Sequence, residues 1–213
     1  MTEGDRVEIG RAYDDVATLY TELFLDALDH NAHDRDAIDR FAAAMASERG
    51  PAIDAGCGAG NVAAHLRARG ANALGCDISA GLLGEARHHF PELPLLVGDL
   101  SALPLAAAGV GGVLARFSLI HRRPDRYGEV LDEFARVTPP DAPLLMMGFV
   151  AESPASHGEP YDHKVTTAYL VHPDPLREDV RRAGFDDVDI STRPPEDGAR
   201  RGQYTLHARR AAR

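Results

Sequence analysis

The chain has 213 residues, and its 23 basic and 33 acidic side chains give a formal net charge of -10. Phosphate neutralisation dominates affinity for nucleic acids, so this balance argues against DNA, RNA and anionic membranes as partners. No apolar run approaches the roughly 20 residues that span a bilayer, and the charged start at 1–6 is unlike a leader peptide. We therefore predict a cytoplasmic protein with one α/β domain over residues 1–213.

Two amphipathic helices are predicted at the start of the chain. Apolar residues recur at three- and four-residue intervals over 11–30 and again over 34–47. Together they form an N-terminal helical lead, residues 1–48, ahead of the predicted core.

Strands and helices then alternate along the chain. This alternation predicts a parallel sheet with right-handed crossovers. The predicted strands lie at 52–54, 73–77, 95–97, 110–117 and 144–149, and the predicted helices at 61–69, 80–89 and 126–137.

The last third of the chain contains an irregular segment. Residues 151–172 are rich in Ser, Pro, Gly, His and Tyr and lack periodicity, which predicts a cap or insertion facing the substrate. A helix at 174–183 and strands at 188–191 and 204–208 complete the predicted fold.

A loop of three glycines after the first predicted strand indicates the ligand. Gly56, Gly58 and Gly60 alternate, whereas a dinucleotide fingerprint requires a glycine at position 61, which is Asn61. Asp54 precedes the loop, and a carboxylate there attracts a ligand with an amino group and a sulfonium centre. The pattern favours S-adenosylmethionine over a dinucleotide.

With this loop, several motifs in order resemble a known family. They are Tyr13–Tyr20, Pro51–Gly60, Gly75–Ser79, Val97–Leu100, Arg116–His121 and Ala183–Phe185. The chain resembles class I S-adenosylmethionine-dependent methyltransferases, specifically the small single-domain members of the methyltransferase-11/25 type. The resemblance implies an α/β fold with a Rossmann-like, doubly wound, seven-stranded sheet, mostly parallel with one antiparallel strand, plus N-terminal helices and a small cap insertion.

The resemblance also implies where the cofactor binds. Asp77 closes the second strand and is expected to accept the ribose hydroxyls, while Asp99 follows the third strand and is expected to contact the adenine amine. Ile78 and Leu100 either sandwich the adenine ring or belong to the core. The predicted cofactor-binding residues are Tyr20, Asp54, Gly56, Cys57, Gly58, Asp77, Ile78, Asp99, Leu100 and Phe117.

The methyl acceptor is expected beside the aromatic and histidine residues. His121 follows the fourth strand, and an ordinary imidazole pKa of roughly 6.5 suits a general base, although a structural role is an equal alternative. Tyr13 and Tyr20 are seven residues apart, a spacing that suits either core packing or contact with a sulfonium. The predicted substrate-binding residues are Tyr13, His121, Tyr161 and His163, and no metal site is predicted.

The predicted activity is methyl transfer from S-adenosylmethionine to an oxygen or nitrogen of a small molecule, releasing S-adenosylhomocysteine. The small-molecule acceptor is the expected partner, and homodimerisation is left open. A protein that binds S-adenosylmethionine without transferring methyl is the alternative. A nicotinamide-dependent reductase is disfavoured because Lys164, the only lysine, has Pro160 where the short-chain type requires tyrosine.

Overall fold

In the computed structural model, the described residues are 3–45, 50–195 and 200–212. The helices are α1 (Glu3–Asp14), α2 (Ala17–Phe24), α3 (Ala32–Met45), α4 (Asn61–Ala68), α5 (Ala80–His89), α6 (Tyr127–Val137) and α7 (Pro173–Arg182). The strands are β1 (Ala52–Ala55), β2 (Ala73–Asp77), β3 (Leu95–Val97), β4 (Gly112–Arg116), β5 (Pro143–Phe149), β6 (Pro160–Tyr161), β7 (Ala168–Tyr169), β8 (Phe185–Arg193) and β9 (Gln203–Arg210).

Seven strands form one sheet in the order β3-β2-β1-β4-β5-β9-β8. Strands β1 to β5 pair in parallel, and β9 is antiparallel to both β5 and β8. The predicted seven-stranded, mostly parallel sheet with one antiparallel strand is therefore confirmed. The order reverses between β1 and β4, and such a switch point opens a crevice at the carboxyl ends of the strands.

Apolar side chains pack on both faces of the sheet. On one face, α6 buries Val130, Leu131, Phe134 and Val137 completely. On the other face, α3 and α4 pack over Leu114 and Leu145. Because both faces are covered, the central strands are mostly apolar rather than alternating with polar residues.

The prediction of one helix over 11–30 is wrong, because the chain breaks into α1 and α2 at Asp15 and Val16. Asp14 ends α1, and its Oδ1 accepts hydrogen bonds from Ser79 Oγ at 2.6 Å and from Gly81 N at 2.8 Å. This contact fixes the end of α1 at the start of α5, and helical periodicity does not report such a tertiary bond. The predicted end of the second helix, at Ser47, lies outside the described residues.

Other element boundaries shift by a few residues. Strand β4 begins at Gly112 rather than at position 110, and a Cβ at Gly112 would lie 2.6 Å from Met45 Sδ. Strands β8 and β9 are longer than predicted, since their exposed positions carry Asp, Ser, Thr and Arg that extend an edge pair without an apolar run. Across the described residues, no helix has the length and apolar character that crossing a membrane requires.

The irregular segment 151–172 contains a short antiparallel pair, β6 and β7. Tyr169 N donates to Ile120 O at 2.8 Å, so the segment is tied to the chain that follows β4. Leu170 N also donates to Glu159 O at 3.0 Å, which closes the hairpin. The segment therefore lies beside the carboxyl end of β4.

Candidate active site

A cavity of about 350 Å³ lies at the carboxyl ends of the central strands. The loops after β1 to β4 form its floor, α1 and α2 cover it with Tyr13 and Tyr20, and His163 of the 151–172 segment closes one side. Of the 14 predicted site residues, 11 line this cavity: Tyr13, Tyr20, Gly56, Gly58, Asp77, Ile78, Asp99, Leu100, Phe117, His121 and His163.

The glycine loop has a backbone that other residues adopt poorly. Gly56 and Gly60 have φ angles of 80° and 82°, in the left-handed region. A Cβ at Gly56 would lie 2.4 Å from Ser118 Cβ, so the loop after β1 and the end of β4 approach closely. Glycine here serves both the turn and this contact.

Asp77 joins the glycine loop to the turn after β2. Its Oδ2 accepts a hydrogen bond from Gly58 N at 2.8 Å, and its Oδ1 accepts one from Ser79 N at 2.9 Å. Burial raises the pKa of this carboxyl, while the backbone donors act in the opposite direction. Each carboxylate oxygen has a further lone pair, so Asp77 can also accept hydroxyl groups of a ligand in the cavity.

Asp54 lies in β1, next to the glycine loop, and its side chain is buried. Its Oδ2 accepts from Ala63 N at 3.1 Å, which holds the first turn of α4. The carboxyl lines a smaller pocket that adjoins the cavity, together with Tyr20 and Arg116. Burial raises its pKa to about 7. An interaction of Asp54 with a ligand would therefore occur in this smaller pocket.

Cys57 places its sulfur against β2. A Cβ on Gly75 would lie 2.6 Å from Cys57 Sγ, and burial raises the pKa of the thiol well above its usual value. Of the two pockets, Cys57 lines only the smaller one. Cys57 and Cys76 are both free and buried.

Asp99, which the sequence predicts to contact the adenine amine, lines the cavity where the chain leaves β3. Its Oδ1 accepts from Ser101 N at 2.8 Å and from Ser101 Oγ at 2.9 Å, and Arg122 Nη2 lies at 3.4 Å. Arg122, which the sequence analysis missed, is 5% exposed and also pairs with Glu129 at 3.0 Å. Ile78 and Leu100, the two residues predicted either to flank the adenine ring or to belong to the core, also line the cavity.

Aromatic rings line the opposite end of the cavity. Phe117 has a φ of 54°, and its ring lies 5.0 Å from that of Phe149, which also contacts Tyr161 edge-on at 5.5 Å. His163 lies 5.1 Å from His121. Tyr161, a predicted substrate-binding residue, is not part of the described cavity lining, but its ring contacts Phe149, which is. Phe149 itself was missed because it ends a strand with no polar signal.

Tyr13 and His121 form a hydrogen-bonded pair in the cavity. The Tyr13 hydroxyl lies 2.8 Å from His121 Nε2, and His121 Nδ1 lies 2.8 Å from the Thr167 carbonyl oxygen. A carbonyl oxygen only accepts, so Nδ1 carries the proton, and Nε2 of the neutral ring accepts from the Tyr13 hydroxyl. This arrangement assigns the tautomer.

The premise of an ordinary imidazole pKa for His121 is wrong. Burial lowers the pKa of His121 to about 4, and it raises the pKa of Tyr13. Both groups are therefore neutral near pH 7. Tyr13 and Tyr20 also lie on different helices, and their rings meet edge-on with centroids 5.5 Å apart.

A charged cluster, which the sequence analysis did not identify, borders the cavity. Arg116 Nε donates to Asp34 Oδ2 at 2.8 Å, and Arg193 Nη2 donates to Asp34 Oδ1 at 2.6 Å. Asp34 is 1% exposed. These residues are 82 and 159 positions from Asp34, so no local pattern could have joined them.

Comparison with solved structures identifies the fold. The magnesium protoporphyrin IX methyltransferase of Synechocystis, solved with bound S-adenosylmethionine, superposes with a TM-score of 0.73 at 18% identity and covers 97% of each chain. The 4+2 cyclase SpnF gives the same TM-score at 18% identity and covers 96% of each chain. At these identities the likeness concerns the fold, and it includes an enzyme named for a different reaction.

Sequence comparison relates the central part of the chain to a known family. Residues 52–141 match the model of the family described as "Methyltransferase domain". The demethylmenaquinone methyltransferase of Beutenbergia cavernae is 32% identical over 97 residues, covering 46% of this chain and 40% of that protein. The chain thus spans less than half of this relative's length. Residues 52–141 thus match a methyltransferase domain in sequence, and the chain shares the fold of a methyltransferase solved with S-adenosylmethionine.

Proposed function

We propose that the protein transfers a methyl group from S-adenosylmethionine to an oxygen or nitrogen atom of a small molecule. The observation that carries this proposal is one cavity that joins the glycine loop and Asp77 at one end to the Tyr13–His121 pair. The first group suits a nucleoside, and the second suits a polar acceptor from which a proton must leave.

The donor would lie along the carboxyl ends of β3, β2 and β1. Asp99 would accept from the adenine amine, Asp77 would accept from the ribose hydroxyls, and Ile78 and Leu100 would flank the adenine ring. The rings of Tyr13 and Tyr20 would face the sulfonium, whose positive charge favours aromatic faces. Bound S-adenosylmethionine supplies an electrophilic methyl group and leaves as S-adenosylhomocysteine.

At the acceptor end, Tyr13 and His121 would take up the proton that an acceptor hydroxyl loses. Because Tyr13 donates to His121 Nε2, its oxygen lone pairs are available to accept from the acceptor group. The acceptor proton would pass to Tyr13 Oη as the Tyr13 proton passes to Nε2, while Thr167 O holds Nδ1. His121 is neutral above about pH 5, so it can accept this proton.

Small molecules are the favoured acceptors. Relatives are named for demethylmenaquinone and for malonyl-[acyl-carrier protein], and a structural neighbour for magnesium protoporphyrin IX. Phe117 and Phe149 give the acceptor end of the cavity an apolar wall, to which His163 adds a polar group, as small-molecule sites have. Segment 151–172 would act as the substrate cap. We also place the protein in the cytoplasm, where two free thiols stay reduced.

A second candidate is an enzyme that binds S-adenosylmethionine without transferring its methyl group. The likeness of the fold to a 4+2 cyclase favours keeping this candidate. It predicts tight donor binding with no loss of the methyl group during turnover.

Incubation with S-adenosylmethionine labelled in its methyl group separates these candidates. Methyl transfer predicts label on an acceptor from a panel of phenols, carboxylic acids and amines, with one S-adenosylhomocysteine formed per labelled product. Binding without any labelled product across the panel would favour the second candidate. No binding of the donor would contradict both.

A further inference from the structure

Asp14 ends α1 directly after Tyr13, and it connects that helix to the start of α5. Its Oδ1 accepts hydrogen bonds from Ser79 Oγ at 2.6 Å and from Gly81 N at 2.8 Å. Gly81 belongs to the first turn of α5, whose backbone N–H groups have no partner within the helix. A carboxylate here also interacts favourably with the positive end of the helix dipole. The end of α1 therefore caps α5.

The backbones of the two helices approach closely at this contact. A Cβ on Gly81 would lie 3.1 Å from Asp14 Cα, which is closer than side chains ordinarily pack. One helical turn before Asp14, a Cβ on Gly10 would lie 3.6 Å from Ile78 O. Helix α1 thus lies along the turn between β2 and α5, and this contact sets where α1 crosses the cavity.

The same turn holds a carboxylate of the proposed donor site. Ser79 N donates to Asp77 Oδ1 at 2.9 Å, and Ser79 Oγ donates to Asp14. The Tyr13 hydroxyl, on the residue before Asp14, lies 2.8 Å from His121 Nε2. A continuous series of contacts therefore joins the turn after β2 to the pair at the acceptor end.

Helix α1 covers the His121 ring through Tyr13, whose ring centroid lies 5.5 Å from that of His121. The ring of His163 and the Thr167 carbonyl oxygen also contact His121, and Arg122 follows it in the chain. Burial is the main cause that lowers the pKa of His121 to about 4. If α1 moved away, water would reach the ring, and its pKa would return toward the ordinary value of roughly 6.5.

We propose that Asp14 is a positioning residue, which holds Tyr13 over His121 by fixing the end of α1 on the first turn of α5. Among the described residues, 7–14 of α1 belong to neither apolar cluster of the core, so the position of this helix depends on local contacts such as those of Asp14. Asp14 lies outside the described cavity lining and acts through Tyr13. The catalytic consequence rests on the proposed function, whereas the position of α1 does not.

The first test follows the His121 ring by NMR as the pH changes, in the protein without ligand, with the signal assigned by comparison with His121→Gln. The wild-type ring should stay neutral between pH 5 and pH 8. In Asp14→Ala, we expect its pKa to rise to between about 5 and 6.5. Asp14→Asn keeps an oxygen that accepts from Ser79 and Gly81, so it should restore the wild-type titration. Asp15→Ala, at the exposed neighbouring position, is the matched control and should titrate as the wild type does.

The second test measures activity. Asp14→Ala should lower kcat with a hydroxyl acceptor about tenfold, because the Tyr13 hydroxyl is no longer held in place. Binding of S-adenosylhomocysteine should change by less than about threefold. In the Tyr13→Phe background, Asp14→Ala should lower kcat by less than about twofold, since the positioned hydroxyl is already absent. A merely structural role would lower kcat equally in both backgrounds.

Two results of the NMR test would overturn the proposal. A pKa that stays near 4 in Asp14→Ala would show that α1 covers His121 without this residue. An equal rise in Asp15→Ala would show a general loosening of α1 rather than an effect of the Asp14 bonds. If the wild-type protein transfers no methyl group, the proposed function fails, and the NMR titration still decides the position of α1.

Gly81→Val approaches the same contact from α5 and serves if Asp14→Ala does not fold. The added side chain would displace the end of α1 while Asp14 remains. Gly84→Val, on the same helix, is its control, because a Cβ there meets nothing within 4 Å. We expect the pKa of His121 to rise in Gly81→Val alone. An unchanged titration in both variants would overturn the proposal.

Discussion

The two ends of the cavity are built in different ways. The proposed donor end uses backbone groups and carboxylates at the ends of strands, such as Asp77, which ends β2 and is bonded to Gly58 N and Ser79 N. The acceptor end uses side chains far apart in sequence, such as Tyr13 and His121. This difference suggests that the donor end tolerates little change, whereas the acceptor end can vary with its substrate.

The largest effect on activity is expected from a substitution at the acceptor end alone. Tyr13→Phe removes the hydroxyl that donates to His121, and we expect kcat with a hydroxyl acceptor to fall about 100- to 1000-fold. Binding of S-adenosylhomocysteine should stay within about twofold, because the aromatic ring remains. Steady-state kinetics and calorimetry measure the two quantities.

A double-mutant cycle controls for independent damage. If Tyr13 and His121 act as one unit, adding His121→Gln to Tyr13→Phe should cost little more activity. Fully additive losses would contradict a shared role. From pH 6 to 8, activity should show no ionisation of His121, because its pKa is about 4.

Gly56→Ala tests the backbone of the donor end. The φ of 80° and the 2.4 Å approach of the added Cβ to Ser118 Cβ should lower the free energy of unfolding by about 3 kcal/mol. Gly84→Ala is the matched control: a Cβ there meets nothing within 4 Å, so it should stabilise helix α5 by up to about 1 kcal/mol. Urea unfolding measures the change in the free energy of unfolding for both variants. Equal changes would refute a special backbone requirement at Gly56.

Asp77→Ala tests the carboxylate of the donor end. Loss of the expected ribose contacts should weaken S-adenosylhomocysteine binding about 100-fold, which corresponds to about 2.7 kcal/mol. Asp132→Ala, at an exposed position of α6, is the control and should bind normally. Retained affinity in Asp77→Ala would exclude Asp77 from the nucleoside site.

The smallest effect concerns Asp54 and pH. Burial raises the pKa of Asp54 to about 7, so the native protein keeps a proton that the unfolded chain loses near pH 4. The stability that this proton gives to the native state is lost as the pH rises through 7. Asp54→Asn keeps an acceptor for Ala63 N and removes the titration. Relative to that of the wild type, the free energy of unfolding of Asp54→Asn should rise by about 2 kcal/mol between pH 5 and pH 8. Parallel pH curves would contradict the buried, protonated carboxyl.

The central strands and the glycine loop after β1 could be predicted because their signals are local. Asp77 ends β2, Asp99 comes two residues after β3, and the glycines at 56 and 60 lie in the loop that follows β1. The break between α1 and α2 could not be predicted, because it depends on the bond from Ser79 to Asp14, 65 residues away. The Arg116–Asp34 pair was invisible for the same reason.

The central claim is that this cavity holds S-adenosylmethionine, and the most direct test is calorimetric titration of the wild-type protein with S-adenosylhomocysteine, with NADH as the control ligand. We predict one site with a Kd between roughly 1 μM and 1 mM for S-adenosylhomocysteine and no binding of NADH. Binding of NADH without binding of S-adenosylhomocysteine would contradict this claim, because the glycine loop would then hold a dinucleotide.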